Sequence, residues 1–445
     1  MAAIIKGDKK IVNGWALYDW ANSAYSLVIT SALFPIYFNA VTTTATSKNV
    51  VFLGRTFNSD SLQTYSISLA FLVIAALSPM LSSMADYSGH KKKFMFFFST
   101  LGAISCSMLY FFKDMDTLWI GVFGSVFAAI GFAGSIVFYN AFLPEIALPE
   151  DQDRVSAKGF AMGYIGSSLL LIFCLTMIVF PQWYGNIESG YATRLSFLLV
   201  GVWWFGFAQV TFSVLPDNIY NRKPEGNIFT KGYQELRLVW GELNDTPRLK
   251  NFLGSFFFYN MGTQTVMYVA TLFGTSELHL KSDILIMIIL IIQFVAIAGA
   301  YLFSGLSKRF GNIKAILIAI TVWIFICFGA FFCDKKYGFD EQSMFMMLAA
   351  VVGLVMGGIQ SLSRSTYSKL LPETKDHASY FSFYDVCDKI GTVLGTFVFG
   401  FINEISGSMR NSIVVLTVFF LVGIILLLRV QRKMDLEKKM NPAIS

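Results

Sequence analysis

Twelve apolar stretches, each about as long as a membrane-crossing helix, leave this chain few folds to choose from. They run over 14–39, 61–85, 94–112, 117–143, 156–181, 194–215, 250–275, 283–306, 314–333, 342–370, 378–403 and 410–430. A bilayer core about 30 Å thick takes about 20 helical residues. The runs are continuous rather than alternating, which excludes a membrane β-barrel. In lipid the backbone must satisfy its own hydrogen bonds, and only helices do that along an unbroken apolar run. Composition agrees: the chain is 55% hydrophobic and 14% charged, with 45 Phe in 445 residues. An ordinary soluble domain is about 25% charged. The expected fold class is all-α integral membrane.

Basic residues set the orientation. With the N-terminus inside, the inner segments hold 24 Lys and Arg and the outer loops hold 8. That bias fits an even number of spans with both ends cytoplasmic. The one long break falls in the middle, and it divides the chain. The expected parts are a cytoplasmic N-terminus at 1–13, a six-helix bundle at 14–215, a linker at 216–249, a second six-helix bundle at 250–430 and a tail at 431–445. Within the linker, Tyr233, Leu236, Trp240 and Leu243 recur at helical spacing. That spacing predicts an amphipathic helix lying on the membrane surface.

The halves repeat. Asp86-Tyr87-Ser88-Gly89-His90-Lys91-Lys92-Lys93 is a tight basic hairpin between two apolar runs, and Lys308-Arg309-Phe310-Gly311-Asn312-Ile313-Lys314 is another. Leu143-Pro144-Glu145 closes span four and Leu371-Pro372-Glu373 closes span ten. Tyr18-Asp19 in span one has a counterpart in Tyr259-Asn260 of span seven. Two matched bundles around a central site are the plan of a secondary transporter.

Other classes fit poorly. The five Cys lie in or beside apolar runs with no CxxC, so they read as inert small hydrophobes. His occurs only at 90, 279 and 377, each in an expected loop, so nothing suggests a metal or a cofactor. A polytopic membrane enzyme would need a convergent nucleophile or metal set. A non-transporting receptor would need a sizeable soluble domain. The N-terminal ten residues lack the apolar core of a cleavable signal.

The first hairpin resembles the signature loop of the major facilitator superfamily, through Asp86, Gly89, Lys91 and Lys92. The second copy has Lys308 where that pattern has its Asp. A narrower resemblance is to the vacuole effluxer-like permeases, relatives of the autophagy-linked vacuolar amino-acid exporters. It rests on the opening Gly14-Trp15-Ala16-Leu17-Tyr18-Asp19-Trp20-Ala21-Asn22-Ser23-Ala24-Tyr25, on Tyr139-Asn140-Ala141-Phe142-Leu143-Pro144-Glu145, and on Gly357-Gly358-Ile359-Gln360-Ser361-Leu362-Ser363-Arg364-Ser365. The superfamily resemblance implies twelve transmembrane helices in two six-helix bundles, a monomer, and an Asp86 that latches onto a helix N-terminus or an Arg of the other half. The narrower one implies export of amino acids.

Ionisable groups inside spans cost at least about 2.5–3.5 kcal/mol near the bilayer centre, so each needs a reason. Asp19 lies in span one, Arg364 in span ten, and Asp385, Asp388 and Lys389 in span eleven, while Glu145 closes span four. At 1.5 Å per residue Asp19, Arg364, Asp385 and Asp388 sit in the cytoplasmic half, roughly 8–15 Å in, and Glu145 at the inner surface. Two readings stand. Arg364 binds a substrate carboxylate while Asp388 or Asp19 takes a proton or an amine; or the charges pair across the halves as an inner gate. Asp385 and Lys389, one turn apart, would neutralise each other. Asp385 and Asp388 share a face, and close carboxylates raise each other's proton affinity.

Asn22 and Tyr25 follow Asp19 along span one. Tyr139, Asn140, Tyr259, Asn260, Gln264, Gln360 and Tyr384 lie in helices that line the cavity in the resembled superfamily. Each Asn or Gln has interhelical hydrogen bonding as its plain alternative. Gln209 and Gln293 read as structural. Lys91 and Lys92 read mainly as positive-inside anchors, and Gly391 and Gly395 as a close-packing GxxxG. The expected function is alternating-access transport of a small polar solute, an amino acid or short peptide, with protons as a possible partner and no nucleic acid. A sugar derivative or cell-wall fragment is the other solute class. The expected location is the bacterial inner membrane.

Overall fold

A computed structural model describes residues 5–43, 47, 49–223, 227–334, 338 and 340–440. Residues 1–4 of the N-terminal segment, 224–226 of the linker and 441–445 of the tail lie outside the described residues. Among the described residues the chain forms thirteen long helices. In the first half these are α1 (Lys9–Thr42), α2 (Ser59–Ser88), α3 (Lys91–Phe111), α4 (Met115–Ile146), α5 (Gln152–Val179) and α6 (Ser189–Val214). The linker holds α7 (Ile228–Asp245). The second half holds α8 (Pro247–Ser276), α9 (Ser282–Phe310), α10 (Asn312–Phe331), α11 (Glu341–Leu370), α12 (His377–Ser406) and α13 (Met409–Met440).

Ten of these helices are long and apolar enough to cross a membrane. Helices α8 and α12 are equally long, 30 residues each. Their apolar runs are diluted by Asn260 and Gln264 in one and by Asp385, Asp388 and Lys389 in the other. The two least lipid-like helices of the second half are thus the ones with most to offer a polar interior.

Local chemistry sets the ends. Asp8 caps α1 by accepting from the Lys10 and Ile11 amides. From Tyr25 to Leu33, α1 widens into π-helix, where Ser31 Oγ donates to the Ser26 carbonyl at 2.8 Å. Gly89 ends α2 at φ +70° and Gly311 ends α9 at φ +85°, a region open to glycine without strain. Between α1 and α2 the chain forms a small hairpin, β1 (Asn49–Phe52) and β2 (Arg55–Asn58), turning on Leu53 and Gly54. The four-residue strands are too short to show as an alternating pattern.

Small residues bring the helices together. A Cβ on Gly131 would lie 2.4 Å from the Gly102 backbone nitrogen, and one on Gly357 2.1 Å from the Ala296 carbonyl oxygen. Gly395 of the GxxxG faces α8 in the same way, 2.7 Å from the Met261 carbonyl oxygen. The pairings repeat between halves: α1 packs on α5 and α6 as α8 packs on α12 and α13, and α2 on α4 as α9 on α11. The halves meet along two related seams, α2 against α12 and α5 against α9.

The linker helix forms where its spacing predicts, but it buries a different stripe. Gly232, Val239 and Leu243 face inward, Leu236 is half-buried, and Tyr233 and Trp240 are exposed. Gly232 decides this, because its missing side chain lets α7 lie against Met84 of α2.

Candidate functional site

Arg364 of α11 crosses the seam and is held by the first half. Its Nε donates to Ser156 Oγ at 2.9 Å and its Nη2 to the Ser156 carbonyl at 2.8 Å. Its Nη1 reaches Asn140 Oδ1 at 3.3 Å and Asp19 Oδ2 at 3.3 Å. The guanidinium lies over Phe160, 4.2 Å from the ring centroid, and over Trp15 at 4.9 Å. Tyr139 Oη donates to the same Asp19 oxygen at 2.7 Å, and Trp15 stacks on Tyr139 at 4.4 Å. The Arg364 side chain is 3% exposed and that of Asp19 is 6%. A buried ion pair survives desolvation only with further hydrogen bonds of this kind. Gly159 makes the space: a Cβ there would sit 2.5 Å from Asp19 Oδ2 and 2.9 Å from Arg364 Nη2.

A second charged group faces the first across a cavity of about 310 Å³. Asp388 Oδ1 accepts from Asn260 Nδ2 at 2.7 Å and from Gln264 Nε2 at 3.1 Å. Its Oδ2 takes Lys389 Nζ at 2.5 Å, and Lys389 lies 3.7 Å from Asp385 Oδ1. Asp385 Oδ2 is buried with no hydrogen-bond partner among the described residues. Two carboxylates thus share one ammonium. Tyr259 bonds Ser363 at 2.7 Å, and Tyr164 of α5 donates to Gln360 of α11 at 2.8 Å. Tyr384 stacks on Phe256 at 4.0 Å.

Asp19, Asn22, Asn140, Tyr259, Asn260, Gln264, Gln360, Arg364, Tyr384 and Asp388 all line this cavity. Three residues singled out with them do not. Tyr25 turns into the first bundle against Phe132 and Trp204. Tyr139 stands behind Asp19, and Asp385 behind Lys389. Conversely, Lys389, read as a gate charge, lines the cavity, and so does Gln293, read as structural. Gln209 instead bonds the Phe205 carbonyl on the exposed face of α6.

On the linker side two sets of polar contacts join the halves. Asp86 Oδ2 accepts from the Ser379 amide at 2.7 Å and from Ser379 Oγ at 2.9 Å, in the first turn of α12. The related hairpin of the second half has no acid. Its partner brings one instead: Asp153 of α5 accepts from Asn312 Nδ2 at 2.7 Å and Ser307 Oγ at 2.8 Å, and pairs with Lys369 at 2.7 Å. Asp153 went unremarked in the sequence because it lies among Asp151 and Arg154 and reads as a surface residue.

On the same side, Lys91 is buried rather than exposed as an anchor, and it pairs with Glu145 at 2.5 Å. His377 is helical and buried rather than in a loop, with Nδ1 2.9 Å from the same Glu145 oxygen. Lys92 does stay near the surface, pairing with Asp217 at 3.2 Å. Glu373, the repeat counterpart of Glu145, is exposed, so the Pro-Glu landmark is shared in sequence but not in role. Linker residues add two ties: Arg222 to Asp376 at 2.6 Å and Tyr380 Oη to Glu242 at 2.7 Å. Burial, and then the neighbouring Asp376, raise the Glu235 carboxyl to about 7.

The cavity therefore ends at the Asp19–Arg364 pair and extends away from the linker side. Comparison with known proteins bears on what such a cavity belongs to. The family described as "Vacuole effluxer Atg22 like" matches residues 7–440. The chain belongs to this family. The Atg22-like protein is 32% identical to the MFS-type transporter YxiO of Bacillus subtilis (strain 168), over 95% of each chain. It is 24% identical to autophagy-related protein 22-1 of Penicillium rubens, over 89% of this chain and 78% of that one. Among solved structures, the proton:xylose symporter XylE aligns with TM-score 0.71 at 12% identity, over 95% of each chain. FucP in its outward conformation aligns with TM-score 0.67 at 12% identity, over 95% of this chain and 99% of that one. At such identities the likeness is one of fold, and the fold is that of the major facilitator superfamily. The Atg22-like protein is thus a multi-pass integral membrane protein and a transporter, not an enzyme.

Proposed function

We propose that this transporter carries a zwitterionic solute, an amino acid or short peptide, by alternating access. The observation that carries the reading is the pairing of opposite charges on one cavity. Arg364 is available to a carboxylate once Asp19 lets go, and Asp388 or Asp19 is available to an ammonium. Arg364 is fully paired with the first half in this form. Its ion pair therefore serves as the inner gate, and a substrate carboxylate competes with Asp19 for the guanidinium. Closure on the linker side and a cavity running the other way correspond to an outward-facing form, with the linker and both termini cytoplasmic. The chain acts as a monomer in the cytoplasmic membrane.

Proton coupling is supported by the excess carboxylate on α12. Asp385 and Asp388 share Lys389, and the spare Asp385 oxygen lacks a partner among the described residues. Protonating one acid removes a buried charge that nothing else balances.

Counterflow of labelled amino acids in proteoliposomes tests the substrate class. Transient uptake of label into vesicles preloaded with the same solute is expected. Uptake only with sugars or cell-wall fragments would overturn the amino-acid reading. Asp388→Asn is expected to retain exchange and lose uphill transport; intact uphill transport would remove that acid from coupling.

A further inference from the structure

The polar cavity has an apolar annex. A second recess of about 100 Å³ lies inside the second bundle, between α8, α9, α10, α11 and α13. Apart from Ser31, Thr271 and Gln293, every side chain lining it is apolar. It is not a separate hole: Leu27, Ser31, Met267 and Gln293 line both spaces. Bundle interiors are normally close-packed, and an apolar recess among them costs stability. It persists here where the bundle interior joins the charged cavity.

The two spaces are arranged end to end along α8. Gln264 holds Asp388 in the polar part, and Phe273 lines the far end of the apolar part. Nine residues of helix separate them, about 14 Å at 1.5 Å per residue. That is the span of about ten methylene groups, or of about four residues of extended peptide. The widened π-helical turn of α1 carries Leu27 and Ser31 to the junction. No charged side chain lines the annex. A group entering it must shed its water and bring no charge.

We infer that the substrate is an amphiphile: a zwitterionic head at the Asp19, Arg364 and Asp388 groups, with an apolar body longer than any common amino-acid side chain lying in the annex. Suitable classes are long-chain 2-amino acids and short apolar peptides. The inference rests on the zwitterion reading and adds the apolar body to it. A lipid chain lodged permanently in the annex is the competing occupant.

The test is titration calorimetry on the full chain in lipid nanodiscs, with a homologous series from alanine and norvaline through 2-aminooctanoic to 2-aminododecanoic acid. Every member carries the same head. The expected result is a rise in affinity of about three- to fourfold per added methylene until the annex is full. Ala349→Phe, which places a ring in the annex, is expected to flatten that rise. Ile288→Ala, which enlarges it, is expected to move the optimum to longer chains. Affinity that is flat or falling with length in the unmodified protein overturns the inference while leaving the zwitterion reading intact. Co-purified lipid retained at one per protein, with that same flat profile, overturns it in favour of the lipid. Failure of every member to bind, alanine included, overturns the zwitterion reading itself.

Discussion

Asp86→Ala should unlatch the linker side of the molecule. Asp86 is buried, and one of its oxygens accepts both the Ser379 amide and the Ser379 hydroxyl. Hydrogen bonds to a charged group contribute about 1.5–3 kcal/mol each. Opening returns donors and acceptor to water, so only part of that total separates the two forms. A net loss of about 2 kcal/mol is reasonable, and it shifts the equilibrium about thirtyfold. A protein resting at about 1% open would then stand near a quarter open. Asp86→Asn keeps an acceptor without the charge and should fall between. The assay is pulsed electron–electron resonance between spin labels at Lys93 and Glu373, both exposed on the linker side of opposite halves, in a cysteine-free background. A longer-distance population should appear in the order Ala, Asn, wild type. Identical distance distributions in all three would refute the latch. The companion Asp153→Ala, which strips Ser307, Asn312 and Lys369 of their common partner, should produce a similar shift at the other seam.

Gly159→Ala should disturb the gate without touching a charge. Its Cβ would come within 2.5 Å of Asp19 and 2.9 Å of Arg364 and Tyr139, so the pair must part, and transport should fall about tenfold in counterflow with insertion intact. Unchanged counterflow would show that the pair tolerates separation. The linker should respond to pH through Glu235, whose carboxyl is raised from the ordinary 4.5 to about 7 by burial and by Asp376, with Arg222 opposing and Asp86 adding. The docked linker therefore binds this proton more tightly than the undocked one. The contribution of Glu235 to docking is full below about pH 4.5 and is lost as pH rises through 7. Hydrogen exchange over Ile228–Asp245, corrected for its intrinsic pH dependence, should be faster at pH 8 than at pH 6, and Glu235→Gln should abolish the difference; slower exchange at the higher pH would contradict the sign.

What the sequence revealed followed physical scale. Apolar runs and basic hairpins are local patterns, and an ionisable residue inside an apolar run stands out against its neighbours. Asp19, Arg364, Asp385, Asp388 and Lys389 were visible for that reason. Which charge meets which is a matter of three-dimensional contact. Lys389 looked like a partner for Asp385 at helical spacing, yet it lies closer to Asp388, its neighbour in sequence. Gln293 looked structural because nothing local shows that α9 borders both cavities. Asp153, Ser156 and His377 were missed because each lies near a helix start among ordinary surface residues. Their partners lie in the other half, which the local sequence does not show. The same holds for Glu145 and Glu373, which share a motif and differ in what lies above them.

The most direct probe of two halves rocking about one charged cavity is a single cysteine at Ser363, which lines the cavity beside Arg364. With the native cysteines replaced, Ser363→Cys should be modified by a membrane-impermeant thiol reagent added to either face of oriented vesicles. Asp86→Ala should speed modification from the linker side and slow it from the other. Reaction from one face alone, under every condition and in every variant, would contradict alternating access.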